Sequence, residues 1–118
     1  MDTSNFSDDR AVGTFLTAEG PNGDGIRSFP YSGNMAVNSQ DYQDLINIGD
    51  GGSAPHPIGE IWASMLYDLT QDLIAVHGFD PDLYNGTGGN NISLALVTEG
   101  LKLQPASPGF VDSRDAIL

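Results

Sequence analysis

A chain of 118 residues is one small domain or a piece of a larger one, and a hydrophobic content of 39% suffices for a compact core, which excludes wholesale disorder. Sixteen acidic residues stand against Arg10, Arg27, Lys102 and Arg114, and the formal charge of −12 repels nucleic-acid backbones and anionic membranes. There is no cysteine, hence no disulfide framework, thiolate nucleophile or cysteine-based metal site, and no apolar run approaches transmembrane length.

The start, Met1 to Arg10, is too acidic and polar for a signal peptide. A signal for an exported parent protein would lie outside this chain. Residues 1–57 form a loop-rich first half that holds eight of the fifteen glycines. Within it, residues 12–17 read as a short strand or part of a packed loop. The run Gly20-Pro21-Asn22-Gly23-Asp24-Gly25 reads as turns, because these residues supply positive φ and local side-chain hydrogen bonds. Residues 39–46 suit a short helix with Tyr42, Leu45 and Ile46 on its inner face. A structureless stretch of this length is usually functional or covered by something else.

The second half, 58–118, is a helical core. From Ile58 to His77, apolar residues recur at Ile58, Ile61, Trp62, Met65, Leu66, Leu69, Leu73 and Val76. That spacing predicts a long amphipathic helix, with Glu60, Ser64, Asp68, Gln71 and Asp72 on its other face. Pro57 suits the first turn, and Gly78 suits the position just past the end. Asn90 or Asn91 caps a second helix running to about Leu103. Its apolar residues point more than one way, which predicts burial on several sides. Pro105 and Pro108 end it. A third helix starts near Asp112 and stops at Leu118 after barely two turns, as in a chain that has been cut. The expected architecture is mainly α: one domain, a fragment of a larger fold, with its third helix truncated.

Several short patterns have bland explanations. Gly86-Thr87-Gly88-Gly89-Asn90-Asn91 is glycine-rich and leads into a helix, yet it lacks a preceding strand and the Gly-Lys-Ser/Thr ending of a phosphate loop. Asp80-Pro81-Asp82-Leu83-Tyr84-Asn85-Gly86 resembles a calcium loop, but Tyr84 falls where a third ligand belongs and Asn91 replaces the final Glu. A polar turn accounts for it, with a weak calcium site through backbone carbonyls as the alternative. His77, near a helix C-terminus, is favoured there by the macrodipole.

His56, flanked by Pro55 and Pro57 at the entrance to the long helix, is the residue most suited to chemistry. A histidine held there can donate a proton or a hydrogen bond into a cleft at neutral pH. Glu60, four residues on, is one turn away and could share a metal, but a third ligand is missing. His77 is at the far end of a helix that spans roughly 30 Å. A self-contained zinc site is therefore ruled out, and the helix dipole explains Glu60 in the first turn.

The run Pro55-His56-Pro57-Ile58-Gly59-Glu60-Ile61-Trp62-Ala63-Ser64-Met65-Leu66-Tyr67-Asp68-Leu69 resembles the segment that follows the zinc site in fungalysin-type metallopeptidases. The resemblance continues through Gly78-Phe79-Asp80, Gly89-Asn90-Asn91, residues 94–105, and Phe110-Val111 to Leu118. Upstream, Gly25-Ile26-Arg27-Ser28-Phe29-Pro30-Tyr31-Ser32 also resembles that family, whereas the first 24 residues match it poorly. The core pattern His-x-Ile-Gly-x-x-Trp-Ala is fairly specific.

The resemblance implies a secreted, extracellular zinc endopeptidase related in mechanism to thermolysin, acting on protein or peptide substrates. Such enzymes carry His-Glu-x-x-His on one helix and a glutamate ligand on a later one. Zinc lowers the pKa of its water, the motif glutamate takes the proton, and hydroxide attacks the peptide carbonyl. Neither ligand segment occurs in this sequence. The chain is then the C-terminal helical portion of the catalytic domain, inactive alone, with an N-terminal zinc-bearing half as its partner.

By the same resemblance, His56 is the histidine that donates to the oxyanion as the carbonyl becomes tetrahedral, worth about 2.7–4 kcal/mol in comparable sites. Arg27 matches the arginine beside the substrate's primed-side residue, where it donates to a backbone carbonyl. Asp50 is the candidate carboxylate that orients the His56 imidazole. Pro57 and Ala106 depart from the family, which more usually has a small flexible residue and, in fungal relatives, a cysteine there. The competing expectation is a noncatalytic acidic helical module that binds a cation or a protein partner, with His56 bridging a turn.

Overall fold

The computed structural model describes residues 9–20, 22–48 and 55–118. Its element order is a short 3-10 helix, Tyr42–Asn47, then α1 (Pro55–His77), α2 (Gly89–Leu103) and α3 (Phe110–Ile117). This is the mainly helical architecture expected. The chain divides into two compact units, Met1–Asp68 and Leu69–Leu118.

In the first unit the loop-rich stretch keeps almost no regular structure. Residues 12–17 form turns, with the Leu16 and Ala18 amides donating to Gly13 and Phe15, and not a strand. Among the described residues the extended pairing is a single antiparallel bridge, Arg10 to Tyr31, with both amide bonds made at 2.8 and 2.9 Å. Gly25 has φ 73, and a Cβ there would strike the Val12 carbonyl, so this close crossing admits only glycine. The 3-10 helix is capped by Asp41, whose carboxylate accepts the Gln43 amide at 2.7 Å while Asp44 accepts the Asp41 amide at 2.9 Å. Tyr42 and Ile46 are exposed there, against expectation, and only Leu45 is half-buried. A six-residue helix with three residues per turn has too little surface to present a full apolar stripe.

Helix α1 begins at Pro55, three residues before the predicted Ile58, because both prolines fit a first turn whose amides have no helical partner. It ends as expected: Gly78 takes the left-handed conformation at φ 74 and donates to the Ile74 carbonyl. Its most buried residues are Glu60, Ile61 and Ser64. Ile61, 1% exposed, is the one fully buried hydrophobic residue among those described. Such a side chain contributes about 1.5–3 kcal/mol. Tyr31 stacks on Tyr67 with ring centroids 6.2 Å apart. Glu60 and Ser64 were expected on the solvent face; instead, polar groups of the loop pack there.

In the second unit, the expectation of an α2 buried on several sides meets a different pattern. Its fully covered positions are small, Gly89, Ser93 and Gly100, whereas Leu94, Leu101 and Leu103 are more than half exposed. The small residues permit close helix approach. A Cβ on Gly89 would overlap the backbone of Leu73 and Ile74 in α1, and one on Gly100 would press on Ile117 of α3. The hydroxyls of Thr70 and Ser93 share a hydrogen bond of 2.6 Å beside the first crossing. Helix α3 starts at Phe110, two residues before the predicted Asp112, because Asp112 serves as an acceptor for the Gly109 amide at 2.9 Å.

Gly89→Ala is expected to destabilise the chain by about 1–3 kcal/mol, since backbone must shift to admit the methyl. Gly59→Ala, where the added Cβ meets nothing within 4 Å, should instead stabilise by about 0.5–1 kcal/mol through helix propensity. Chemical denaturation of the two variants checks both signs.

Candidate functional site

His56 is the second residue of α1 and is exposed to solvent. Its imidazole makes no hydrogen bond among the described residues. Its backbone carbonyl accepts a bond of 3.5 Å from Nη1 of Arg27. Arg27 is itself half-buried, and its Nε is buried without a hydrogen-bond partner among the described residues. Two of the three sequence-predicted site residues, 29 positions apart, are therefore neighbours. Asp50, the third, lies outside the described residues.

One turn along the helix is a second contact, made by a residue whose position was expected to be explained by the helix dipole. Glu60 is not in the first turn of the helix that actually forms, and it is only 3% exposed. Its Oε1 accepts the Phe29 amide at 3.0 Å. One turn further, the Ser64 hydroxyl donates to the Glu60 carbonyl at 3.1 Å and accepts from Nδ2 of Asn38 at 3.1 Å. Asn38, 3% exposed, also donates to the Pro30 carbonyl at 3.0 Å and accepts the Gln40 amide at 3.0 Å. Residues 27–40 are thus bound to one face of α1 by polar groups. An irregular loop that packs on a helix needs side-chain partners for its backbone, and Glu60 and Ser64 at helical spacing beside Ile61 are the signal for it.

Arg27 lines a cavity of about 460 Å³ together with Asp9, Asn22, Asp24, Ser28 and Pro30. His56 does not line it. Among the described residues, no group of three or more His, Asp or Glu side chains is arranged to hold a metal, and no helix is long and apolar enough to cross a membrane. The described residues therefore do not fit a zinc ion.

The Asp80–Asn91 loop of the second unit directs its carboxylates at its own backbone. Asp80 accepts the Asp82 and Thr87 amides at 3.0 and 3.1 Å. Asp82 accepts those of Tyr84 and Asn85 at 3.0 and 3.1 Å. Asn90 clamps Asp80 from both sides, accepting its amide and donating to its carbonyl, and Asn91 donates to the Asp82 carbonyl at 2.7 Å. Asn91 also accepts the Gly88 amide at 3.2 Å, which makes Gly88 the residue preceding α2. The two asparagines close the loop from inside the first turn and do not occupy the cap position. This is a polar turn built from Asx interactions.

The family described as fungalysin metallopeptidase (M36) matches residues 1–118, including the first 24 residues whose motifs matched poorly. Extracellular metalloproteinase 4 of Trichophyton tonsurans is 45% identical over 102 residues, which cover 80% of this chain and 15% of the relative. Extracellular metalloproteinase 2 of the same organism is 42% identical over 100 residues, with the same two coverages. Extracellular metalloproteinase mep of Aspergillus terreus is 44% identical over 100 residues, again covering 80% of this chain and 15% of its own length. The chain spans about 15% of the length of the curated relatives it matches.

The turn makes its own pH-dependent contribution. The amides of Asn85 and Tyr84, with the Asn85 side chain, hold the Asp82 carboxyl below its ordinary value of 3.8. A carboxyl depressed on folding stabilises the fold in full above its unfolded value, and that contribution disappears as pH falls through the lower, folded one. The Asp82 carboxyl carbon is thus expected to titrate with a midpoint below 3.8, with the Tyr84 and Asn85 amide shifts following the same curve. An NMR titration in which Asp82 changes at or above 3.8 contradicts this geometry.

Proposed function

The chain belongs to the fungalysin metallopeptidase family, and from that premise we propose that it is the C-terminal helical portion of the catalytic domain of a secreted zinc endopeptidase. The observation that carries this reading is the Arg27–His56 contact. Two residues that match the family's substrate-handling positions, far apart in sequence, meet at the start of one helix.

In this reading His56 points its exposed imidazole toward the substrate carbonyl and donates a hydrogen bond as that oxygen becomes an oxyanion. A donor aimed at charge present only in the transition state raises turnover more than it tightens substrate binding. Arg27 binds a substrate backbone carbonyl on the primed side. The fork shape of a guanidinium lets it touch the His56 carbonyl through Nη1 while other N–H groups stay available to the substrate. Asp50 orients the His56 imidazole.

The metal belongs to residues outside this stretch. The sequence has two histidines, one in the first turn of α1 and one in its last, and no His-Glu-x-x-His. A zinc-bearing segment is accordingly the partner that completes the enzyme. The exposed Leu94 and Leu101, seven residues apart and so on the same side of α2, suit burial against such a partner. The names of the relatives, extracellular metalloproteinases, support an extracellular location.

The 118-residue chain alone is expected to show no chelator-sensitive cleavage of casein. Placed in extracellular metalloproteinase 4 of Trichophyton tonsurans, in exchange for the matched stretch, it should support peptidase activity. In that chimaera His56→Ala is expected to lower kcat about 100-fold with zinc per protein unchanged. Loss of zinc in the variant would make His56 a ligand instead.

A further inference from the structure

The geometry points to Glu60 as a positioning residue that sets where Arg27 presents its guanidinium, an inference that rests on the substrate-binding role proposed for Arg27. Four observations converge. Glu60 is a carboxylate 3% exposed inside a unit with one fully buried hydrophobic residue among those described. It accepts a backbone amide, that of Phe29, at 3.0 Å. Phe29 is two residues from Arg27. Arg27 in turn reaches the carbonyl of His56, which precedes Glu60 by one helical turn.

The two contacts form a matched pair. Four residues of α-helix rise about 6 Å, and two residues of chain span at most about 7 Å. The segment 27–29 therefore lies beside one turn of α1, with its first residue held at the start of that turn and its last at the end. Of the two attachments, the Glu60 bond is shorter, made to a carboxylate and half-buried, whereas the Arg27 bond is 3.5 Å and solvent-exposed. The shorter, better-covered bond sets the register, and the guanidinium follows it.

Burial of a carboxylate costs more than burial of a neutral group of the same shape. A purely structural acceptor for one amide could be neutral. What a charged acceptor adds is a stronger hold on the Phe29 amide, while a neutral oxygen in the same place keeps the contact that fixes the segment. Glu60 touches no substrate in this arrangement; it acts through the Phe29 amide.

Two measurements test this. In the 118-residue chain, amide hydrogen exchange at Phe29 should accelerate at least about tenfold in Glu60→Ala, the loss of one charge-assisted bond. Glu60→Gln, which retains an oxygen acceptor, should recover most of the protection. Phe29 protected equally in wild type and Glu60→Ala overturns the inference. If Glu60→Ala does not fold, Glu60→Gln decides alone: wild-type protection supports the bond, and its loss with retained helicity overturns it. In the active chimaera, Glu60→Ala should raise KM about tenfold while kcat and its pH profile stay close to wild type, with rescue of KM by Gln. A fall in kcat at unchanged KM overturns the positioning role. A chimaera inactive before any substitution counts against the peptidase reading, and the Phe29 exchange result still decides the Glu60 contact.

Discussion

A loop that folds without strands must find partners for its own peptide groups, and here side chains of one helix face and of the loop itself supply them. Between Arg10 and Ile48 the described backbone makes one bridge and a series of tight turns. The remaining partners are side chains: Glu60 for the Phe29 amide, Asn38 for the Pro30 carbonyl and the Gln40 amide, and Ser64 for Asn38 itself. An unpaired buried peptide group costs about 1–3 kcal/mol, comparable to the whole contribution of Ile61. The polar face of α1 therefore matters to the first unit as much as its apolar face does.

This balance explains why the candidate site lies where it does. An apolar interface slides easily between nearly equivalent packings, whereas a set of directional bonds has one register. Arg27 reaches the first turn of α1 because Phe29 and Pro30 are each bound by name to side chains on or beside that helix. The candidate site thus depends on a loop whose order is imposed from outside it. Binding residues on loops are typically placed by a rigid scaffold, and α1 is that scaffold here.

The three helices were legible in the sequence because their signals act locally: in α1, apolar recurrence at 3.6 residues, proline in the first turn and glycine just past the end, and after α2, the prolines at 105 and 108. Gly78 sits where it was expected for a reason internal to its own neighbourhood. Helix starts were displaced by two or three residues, since prolines and side-chain acceptors such as Asp112 operate over that range. What the sequence concealed was the partnership between distant segments. Glu60 and Ser64 look like solvent-facing residues on a helical wheel, and only the arrival of residues 27–40 makes them interior. Arg27 and His56 were recognisable through their family resemblance, while their contact emerges from the fold.

Gly89 carries a consequence for how the second unit tolerates change. It rests on the main chain of Leu73 and Ile74, and main chain is the same whatever side chains it bears. The crossing of α1 and α2 is thereby insulated from the identity of residues 73 and 74, which can be exchanged for others that keep the helix. The steric intolerance of that contact is concentrated in one position on α2. A helix pair built in this way can drift in sequence along one partner while its geometry is kept by the smallest residue of the other.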